Sequence, residues 1–366
     1  SNTTIDNVVM VGNLSLSANG IFLSNSSDLT LTNNTISVAG EYGIYSPDSP
    51  NSMVDGNDVS VASNGIYFGN SSGLTITNNT ISVGGYGIYS PDSPNSIVDN
   101  NYISSSDEGQ LYCGVSIQNS PNVHIISNNI IARQGIVNYE SDSSIISFNN
   151  LYTDQNFDGI GDFVGGINNS SSDFSVVEGN IIFAQNHDSN GSAVGVVSGE
   201  HSQILFNSIT VDGREDDGWA VRAIDANKSV ISGNIIDCTL ESECADYHWA
   251  VNSYGSETHL STISENTLVT HGCSRAIRVS HALVINNTLS FNDIGINAGT
   301  NALIDNNSII SNNISIQSNN VDSLVITNNT ITSNLTAIDL AGGDVLISHN
   351  TITSNSTAIN LNGSDV

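Results

Sequence analysis

Three stretches in the second half of the chain combine tryptophan, arginine and carboxylate side chains: DDGWAVRAI (216–224), YHWAVNSY (247–254) and CSRAIRVS (273–280). Aligning them on their apolar residues produces two columns, with Trp219, Trp249 and Arg275 in one and Arg222, Asn252 and Arg278 in the other. Aromatic faces stack on sugar rings, and guanidinium groups suit the acidic groups of a polysaccharide. The spacing therefore predicts a carbohydrate-binding surface, with Trp219, Trp249 and Arg275 as its candidates.

The same stretches contain groups that polysaccharide chemistry needs. A lyase requires a base near the C5 proton, commonly arginine or lysine, whereas a hydrolase requires two or three carboxylates at fixed spacing. The catalytic candidates are Arg222, Arg278, Asp217 and Asp225. An arginine in an acidic region, however, usually pairs with a carboxylate, and insertions need polar networks to hold them. No paired-aspartate motif is recognisable, so a binding or structural role is favoured over catalysis.

The segment LYTDQNFDGIGD (151–162) has the ligand spacing of a calcium loop. Asp154, Asn156 and Asp158 are two residues apart, Ile160 offers its carbonyl, and Asp162 adds a carboxylate. Hard oxygen ligands in this order suit Ca²⁺. The glutamate that closes an EF-hand is missing, and a solvated acidic turn is the alternative. We predict a structural calcium site that holds a long insertion.

Charge excludes two classes of partner. The chain has 36 Asp and Glu residues against six Lys and Arg, for a formal net charge of −30. Nucleic acids and anionic lipids both require a basic surface, so neither is expected to bind. No run of eighteen apolar residues occurs, and no membrane insertion is predicted within this sequence. With 38% apolar and 11% charged residues, the composition is that of a folded protein.

Many Asn-x-Ser/Thr sequons make N-glycosylation a prediction if the protein is exported. The candidates are Asn33, Asn78, Asn168, Asn190, Asn227, Asn286, Asn306, Asn328 and Asn334.

Four cysteines are too few to stabilise a fold of 366 residues with disulfides. Cys238 and Cys244 are six residues apart and predict a disulfide that closes a small loop, with Cys273 as a rival partner. Cys113 lies far from the others in sequence and is expected to be unpaired or buried.

An apolar-x-apolar-x-x-Asn-x-apolar phrase recurs along the chain, as in LTLTNNTIS around Asn34 and LVITNNTIT around Asn329. Fifteen asparagines mark successive copies of the phrase: Asn13, Asn34, Asn57, Asn79, Asn101, Asn129, Asn150, Asn180, Asn207, Asn234, Asn266, Asn287, Asn307, Asn329 and Asn350. Regular spacings are 20 to 23 residues, and the longer ones predict insertions within 102–265. A Gly-Ile phrase falls midway, and IYSPDSPNS at 44–52 returns at 88–96.

Short runs of period-2 alternation interrupted by Asn and Gly indicate strands and turns. One coil of about 22 residues cannot bury its own apolar face, so successive coils must stack. The sequence therefore predicts an all-β fold, a right-handed parallel β-helix of about 15 coils in a single domain over 1–366. The recurrent Asn is expected at a bend, where it tolerates left-handed geometry and bonds the amides above and below. Stacking of Tyr45, Tyr67 and Tyr89 is expected from the same repetition.

These phrases resemble the parallel β-helix repeats of the pectin-lyase-like superfamily, and more closely the NosD-type repeat proteins of archaeal cell surfaces. The resemblance covers essentially the whole chain and implies the β-helix fold. The segment 151–162 is similar to the Asp-rich insertions of such proteins and to thrombospondin type 3 and dockerin calcium loops. The superfamily includes lyases, hydrolases, epimerases, adhesins and structural surface proteins, so it implies no single activity.

Both ends of the sequence, SNTTIDNVVMVGN and LNGSDV, have repeat character, as expected for open coils of a longer chain or of an assembly. The favoured function is an extracellular surface-layer or sheath protein, glycosylated and calcium-stabilised, that assembles with itself or with other surface proteins and glycans. The alternatives are a carbohydrate-binding adhesin and a polysaccharide lyase or hydrolase acting at the inserted coils.

Overall fold

The protein is described by a computed structural model. It describes residues 2–12, 19–105, 112–155, 164–186, 193–213, 219–223, 228–240, 249–254, 260–272, 275–290 and 293–363. The chain forms two compact units, the first comprising Ser1–Asp158 with Val164–Ala184 and the second Gly159–Phe163 with Gln185–Val366. In both units every coil contributes a first, a second and a third strand, and each strand pairs in parallel with its counterpart in the next coil. This architecture confirms the predicted right-handed parallel β-helix.

In the first unit the three kinds of strand alternate along the chain. The first strands are Thr4–Asp6, Thr30–Thr32, Met53–Asp55, Thr75–Thr77, Ile97–Asp99, His124–Ile126, Ile145–Ser147 and Val176–Glu178. The second strands are Val9–Gly12, Thr35–Val38, Asp58–Val61, Thr80–Val83, Tyr102–Ser105, Asn129–Ala132, Asn150–Gln155 and Ile181–Asn186, whose residues up to Ala184 belong to this unit. The third strands are Asn19–Phe22, Tyr42–Tyr45, Asn64–Tyr67, Tyr86–Pro91, Cys113–Gln118, Gln134–Tyr139 and Val164–Asn169.

The second unit repeats the pattern. Its first strands are Gln203–Leu205, Val230–Ser232, Ser261–Ser264, Ala282–Ile285, Leu303–Asp305, Leu324–Thr327 and Val345–Ser348. Its second strands are Ser208–Gly213, Ile235–Leu240, Thr267–Gly272, Thr288–Ser290 and Thr351–Ser354, and its third strands are Ala193–Ser198, Trp219–Ala223, Trp249–Tyr254, Arg275–Ser280, Ile294–Ala298 and Thr357–Asn362. In two coils the second and third strands merge into Ser308–Val321 and Thr330–Gly342.

Period-2 alternation directs every second side chain of a strand into the coil, and parallel pairing places like positions above one another. Ile36, Val59 and Ile81 are in register on successive second strands, and each is completely buried. Burial of an isoleucine or valine side chain contributes about 1.5–3 kcal/mol. The core of each unit is therefore a set of aliphatic columns.

The Gly-Ile phrase marks a close approach within the coil. A Cβ atom on Gly65 would lie 2.5 Å from the carbonyl oxygen of Gly87 and 2.7 Å from Cγ2 of Ile81. The third strand therefore approaches both the next coil and the second-strand side chains so closely that glycine is required here. Ile66 beside it is buried and pairs with Ile88.

Buried asparagines form a ladder at the bend between first and second strands. Nδ2 of Asn57 donates to Oδ1 of Asn79 at 2.9 Å and to the carbonyl oxygen of Leu31 at 2.9 Å, and its backbone N–H also donates to Asn79. The same bonds run along the first unit through Asn34, Asn57, Asn79, Asn101, Asn128, Asn149 and Asn180. In the second unit they run through Asn207, Asn234, Asn266, Asn287, Asn307, Asn329 and Asn350. The predicted bonding between the amides of adjacent coils is confirmed.

The ladder corrects two details of the sequence analysis. The left-handed residue is the one before the ladder asparagine, as in Asn33, Asn78 and Asn100, because this exposed corner and the buried amide need different backbone geometry. The ladder passes through Asn128 and Asn149. The predicted ladder residues Asn129 and Asn150 are instead exposed and are the first residues of second strands.

In the first coil the ladder position is held by Val8, whose N–H donates to Oδ1 of Asn34, and the mark Asn13 lies outside the described residues.

A second ladder, made of serines, explains the duplicated SPDSPNS segment of the first unit. The backbone N–H of Ser49 donates to Oγ of Ser71 at 2.8 Å, and that of Ser71 donates to Oγ of Ser93 at 3.1 Å. These serines are buried at the bend that follows the third strands. Small hydroxyl side chains thus satisfy corner amides that water cannot reach.

Replacing one ladder amide tests how much the bend stabilises the fold. Asn101→Ala leaves the buried backbone N–H of Asn79 without its acceptor and removes the donor to Ile76 and Asn128, and each unsatisfied buried group costs about 1–3 kcal/mol. We expect a loss of about 3 kcal/mol in the free energy of unfolding, measured by urea titration with circular dichroism. The control Asn100→Gly changes the exposed neighbour to the residue that Gly56 supplies in another coil, and a change within about 0.5 kcal/mol is expected. Equal losses in both variants would contradict the ladder's role.

Candidate functional site

Seven aromatic side chains form a continuous outward-facing surface on the first unit, which we call the tyrosine strip. It comprises Phe22, Tyr42, Tyr45, Tyr67, Tyr86, Tyr89 and Tyr112. Phe22 is 61% exposed and Tyr112 is 39% exposed, and the other five are half-buried, largely by one another. The strip leaves aromatic surface open to solvent over several consecutive coils.

Parallel pairing places these rings at the repeat distance of the strands. Phe22 pairs with Tyr45, Tyr45 with Tyr67, and Tyr67 with Tyr89, so their rings form one column. The ring centroids of Tyr45 and Tyr67 are 4.8 Å apart with planes 12° from parallel, close to the interstrand spacing of about 4.8 Å. The predicted column of Tyr45, Tyr67 and Tyr89 is confirmed, with Tyr45 and Tyr67 stacked and Tyr67 and Tyr89 edge to face at 5.5 Å.

A second row of rings widens the strip. Tyr42 and Tyr86 precede the Gly-Ile phrase and contact the first column, with centroids 4.8 Å from Tyr45 and 5.0 Å from Tyr89 respectively. Tyr112 lies edge-on to Tyr86 at 5.3 Å. The Tyr67 hydroxyl lies over Gly69, where a Cβ atom would be 2.4 Å from the oxygen. A glycine at this corner therefore makes room for the ring.

Three phenol groups of the strip, those of Tyr42, Tyr67 and Tyr86, have a raised pKa and stay protonated far above neutral pH. Burial, followed by the charges of Tyr112, Cys113 and Tyr89, raises the pKa of Tyr86 to about 12. Burial is also the main cause that raises the pKa of Tyr42 and of Tyr67 above its ordinary value. Each hydroxyl is therefore available both to donate and to accept a hydrogen bond at the edge of an apolar ring.

The predicted tryptophan and arginine columns are present in the second unit. Trp219 pairs with Trp249 and Trp249 with Arg275, while Arg222 pairs with Asn252 and Asn252 with Arg278. The register deduced from the apolar residues is therefore confirmed. It brings two guanidinium groups to one tryptophan, with Cζ of Arg275 5.2 Å and Cζ of Arg278 5.9 Å from the centroid of the Trp249 ring.

Trp249 itself is 1% exposed. Stacking of its ring on a sugar would require the arginines to move, because they lie against it in cation–π contacts. Its Nε1, the Oδ1 of Asn252 and the Oγ of Ser253 are buried and lack a hydrogen-bond partner within the described part of the chain. Arg275 and Arg278 are half-buried, so they are the residues of this cluster that could contact an acidic ligand directly. This role stays a prediction.

Other predicted site residues lie largely outside the described ranges. Asp217, Asp225 and the calcium ligands Asn156, Asp158, Ile160 and Asp162 are among them. Asp154 lies in the described strand Asn150–Gln155. In the described ranges, no group of three His, Cys, Asp or Glu side chains is arranged to hold a metal ion. The same ranges contain no helix long and apolar enough to cross a membrane.

The two described cysteines face the core. Cys238 is completely buried in the strand Ile235–Leu240, and its predicted partner Cys244 lies outside the described residues, as does Cys273. The disulfide therefore stays a prediction. Cys113 is a free, buried thiol, as expected, and burial raises its pKa to about 12. Such a thiol is unreactive at neutral pH.

Five of the nine candidate sequon asparagines share one place in the coil. Each of the five precedes a ladder asparagine, is exposed and has left-handed backbone geometry: Asn33, Asn78, Asn286, Asn306 and Asn328. The amide of Asn78 donates to Asp55 and that of Asn328 to Asp305, each in the preceding coil. Asn334 is exposed and Asn168 half-buried, whereas Asn190 and Asn227 lie outside the described residues. Glycosylation of these residues stays a prediction.

Comparison with known proteins supports the fold. Residues 19–173 match the family model described as the right handed beta helix region. The resemblance to parallel β-helix repeat proteins is thus supported over much of the first unit. The narrower resemblance to NosD-type archaeal proteins stays a prediction. No curated protein sequence matches the chain significantly.

Three solved structures are similar to this chain. The surface protein and adhesin PfbA of Streptococcus pneumoniae is 15% identical, with 98% of this chain and 91% of that chain covered and a TM-score of 0.39. The catalytic unit of a thermostable GH87 α-1,3-glucanase from Streptomyces thermodiastaticus is 11% identical, with 99% and 63% covered and a TM-score of 0.39. The Azotobacter vinelandii mannuronan C-5 epimerase AlgE4 A-module is 13% identical, with 93% and 91% covered and a TM-score of 0.30. At these values the likeness concerns the fold alone.

Sequence reasoning located the columns but underestimated the tyrosine strip. The alignment showed Tyr45, Tyr67 and Tyr89 in one column and attributed it to solenoid packing. The missed signal is the second tyrosine three residues earlier, as in YGIY at 42–45 and 86–89. Two outward tyrosines on one short strand widen a single column of rings into a surface.

The raised pKa of Tyr86 predicts a loss of stability in alkali. In the folded state this group ionises near pH 12 rather than 10.0, so its contribution is complete below pH 10.0 and is lost as the pH rises towards 12. We expect the urea midpoint to fall over this interval, and to fall less in Tyr86→Phe. Tyr102→Phe, at an exposed tyrosine outside the strip, should behave as wild type. Identical pH profiles for the wild type and Tyr86→Phe would contradict the assignment.

Proposed function

We propose that this chain is an extracellular surface protein whose first unit binds carbohydrate chains on the tyrosine strip. The observation that supports it is the row of seven solvent-accessible aromatic rings in mutual contact. Large exposed aromatic surfaces are uncommon on soluble proteins and mark interaction sites. The core does not need these rings, because aliphatic columns already fill it.

The arrangement suits a ligand with a repeating unit. Rings such as Tyr45 and Tyr67 follow one another at 4.8 Å along the direction in which the coils stack. A polysaccharide presents apolar ring faces and hydroxyl groups in the same alternation. Neighbouring rings cover the faces of Tyr45, so the ligand would lie across the outer ring edges and bond the tyrosine hydroxyls. Several weak contacts along one rigid strip add to a useful affinity.

Location outside the cell is supported by the composition and by the sequons. A net charge of −30 keeps a surface protein soluble by self-repulsion. Sequons such as Asn33, Asn78 and Asn286 are in exposed corners where an attached glycan would point into solvent. These features suit a secreted glycoprotein, and they suit equally an adhesin and a structural surface protein.

Substituting the central rings tests the proposal. Each stacking contact contributes about 0.5–1.5 kcal/mol, so Tyr45→Ala with Tyr67→Ala should weaken binding about tenfold or more in affinity electrophoresis through a panel of polysaccharides. Phe22→Ala removes the most exposed ring of the strip and should weaken binding without affecting the melting temperature.

Tyr102→Ala is the matched control, since Tyr102 is 42% exposed on a second strand of the same unit. Wild-type protein that binds none of the polysaccharides, or a control that loses as much affinity as the strip variants, would refute the function.

A role as a self-assembling surface-layer or sheath protein is the second candidate. It is favoured by stacked coils of similar geometry, whose parallel pairing can continue from one molecule to the next, and by the predicted calcium loop at 154–162. If the protein is a lyase or a hydrolase, its catalytic candidates are still Arg222, Arg278, Asp217 and Asp225. Of these, the described side chain, Arg278, lies against Trp249.

Electron microscopy with and without a chelator tests the calcium loop and the assembly together. We expect ordered sheets or filaments in calcium that loosen on chelation, and the same loosening in Asp158→Asn with calcium present, because one ligand is lost. Asp142→Asn removes an exposed carboxylate elsewhere in the first unit and should leave the assemblies intact. Isolated particles under every condition would remove the support for assembly.

A further inference from the structure

The tyrosine strip is bordered by carboxylates on both sides. Asp48 and Asp92 follow Tyr45 and Tyr89 by three residues at the corner after the third strand, and Glu41 directly precedes Tyr42. The negative charges of these carboxylates raise the pKa of nearby tyrosines. Those of Asp48 and Asp92 act on Tyr67 and that of Glu41 acts on Tyr42, each as a smaller addition to the effect of burial.

The border is polar throughout and continues from coil to coil. Asp48, Asn70 and Asp92 occupy the same left-handed corner of consecutive coils, and Nδ2 of Asn70 donates to Oδ1 of Asp48 at 3.3 Å. Alternating carboxylates and amides beside a row of rings supply acceptors and donors for ligand groups that lie across the strip.

Positive charge is scarce along this border. Arg133 is the single Lys or Arg residue in the sequence of the first unit, and it lies at one end of the strip, next to Gln134, whose N–H donates to the carbonyl oxygen of Tyr112. Carboxylates near the rings repel an anionic polymer over a Debye length of about 8 Å at physiological ionic strength. They attract an ammonium group, which is also favoured over the face of a tyrosine ring.

We infer that the tyrosine strip selects its carbohydrate by charge, binding polymers of unacetylated amino sugars most tightly, their neutral counterparts less tightly, and uronate or sulfated polymers not at all. This inference rests on the proposed function and names the ligand class of the same surface. The charge complementarity of Glu41, Asp48 and Asp92 carries it. The ring spacing favours a saccharide over a basic peptide, because a repeating ring can meet each coil in turn.

Four probes of equal length separate the possibilities: glucosamine hexamer, N-acetylglucosamine hexamer, galacturonate hexamer and hexalysine. We expect isothermal titration calorimetry to show that the glucosamine hexamer binds about tenfold more tightly than its acetylated form, a difference of about 1.4 kcal/mol. The preference should shrink as salt is added. The galacturonate hexamer should not bind at the strip, so any heat that it releases should be unchanged in Tyr45→Ala with Tyr67→Ala. Hexalysine should bind more weakly than the glucosamine hexamer.

Variants with matched changes of net charge test whether the carboxylates beside the strip cause the preference for the glucosamine hexamer. Asp48→Asn with Asp92→Asn should abolish most of the tenfold preference and leave the affinity for the acetylated hexamer unchanged. Asp322→Asn with Asp344→Asn changes the net charge equally at exposed positions of the second unit and should retain the preference.

Equal binding of the two hexosamine polymers overturns the inference while leaving the proposed function standing. Hexalysine that binds as tightly as the glucosamine hexamer overturns it in favour of a basic peptide. Failure of every saccharide to bind refutes the proposed function itself, and the inference with it.

Discussion

The buried asparagine amide at the bend is the interaction on which the rest of the fold depends. Every ladder asparagine except Asn350 is nearly inaccessible to water, so its amide must be satisfied by protein groups. The Asn79 amide bonds its own coil and the coils above and below. A coil that slipped by one residue would leave these groups unpaired and turn its apolar side chains to solvent. The ladder therefore fixes the register of every strand around it.

Fixed register converts a repeated sequence into columns of like side chains. Inward columns such as Ile36, Val59 and Ile81 make the core, and outward columns make surfaces whose chemistry depends on which residue the repeat carries there. Tyrosines in the outward position make an apolar, hydrogen-bonding strip on the first unit. On the second unit, Arg275 and Arg278 lie against Trp249. Two units of one architecture thus present different side chains, and new surfaces need only outward substitutions.

Particular residues show how far the pattern could be followed from sequence. The columns of Trp219, Trp249 and Arg275 were aligned correctly because apolar alternation leaves one register in which every strand buries its face. The ladder was misplaced by one residue at Asn129 and Asn150, where two adjacent asparagines compete for the position. Composition cannot decide between them, because asparagine is accommodated both in the buried amide stack and at the exposed start of the next strand, while Ser127 and Phe148 take the left-handed corners.

By itself, the sequence determined the class of fold, the length of a coil and the strand to which each outward residue belongs, because these follow from local periodicity and from the need to bury apolar side chains. Only the tertiary structure decided exposure. It buried Trp249 beneath two arginines and left Phe22 and the tyrosines around it open to solvent. Exposure depends on what the neighbouring coils place over a side chain, and that contact joins residues twenty or more positions apart.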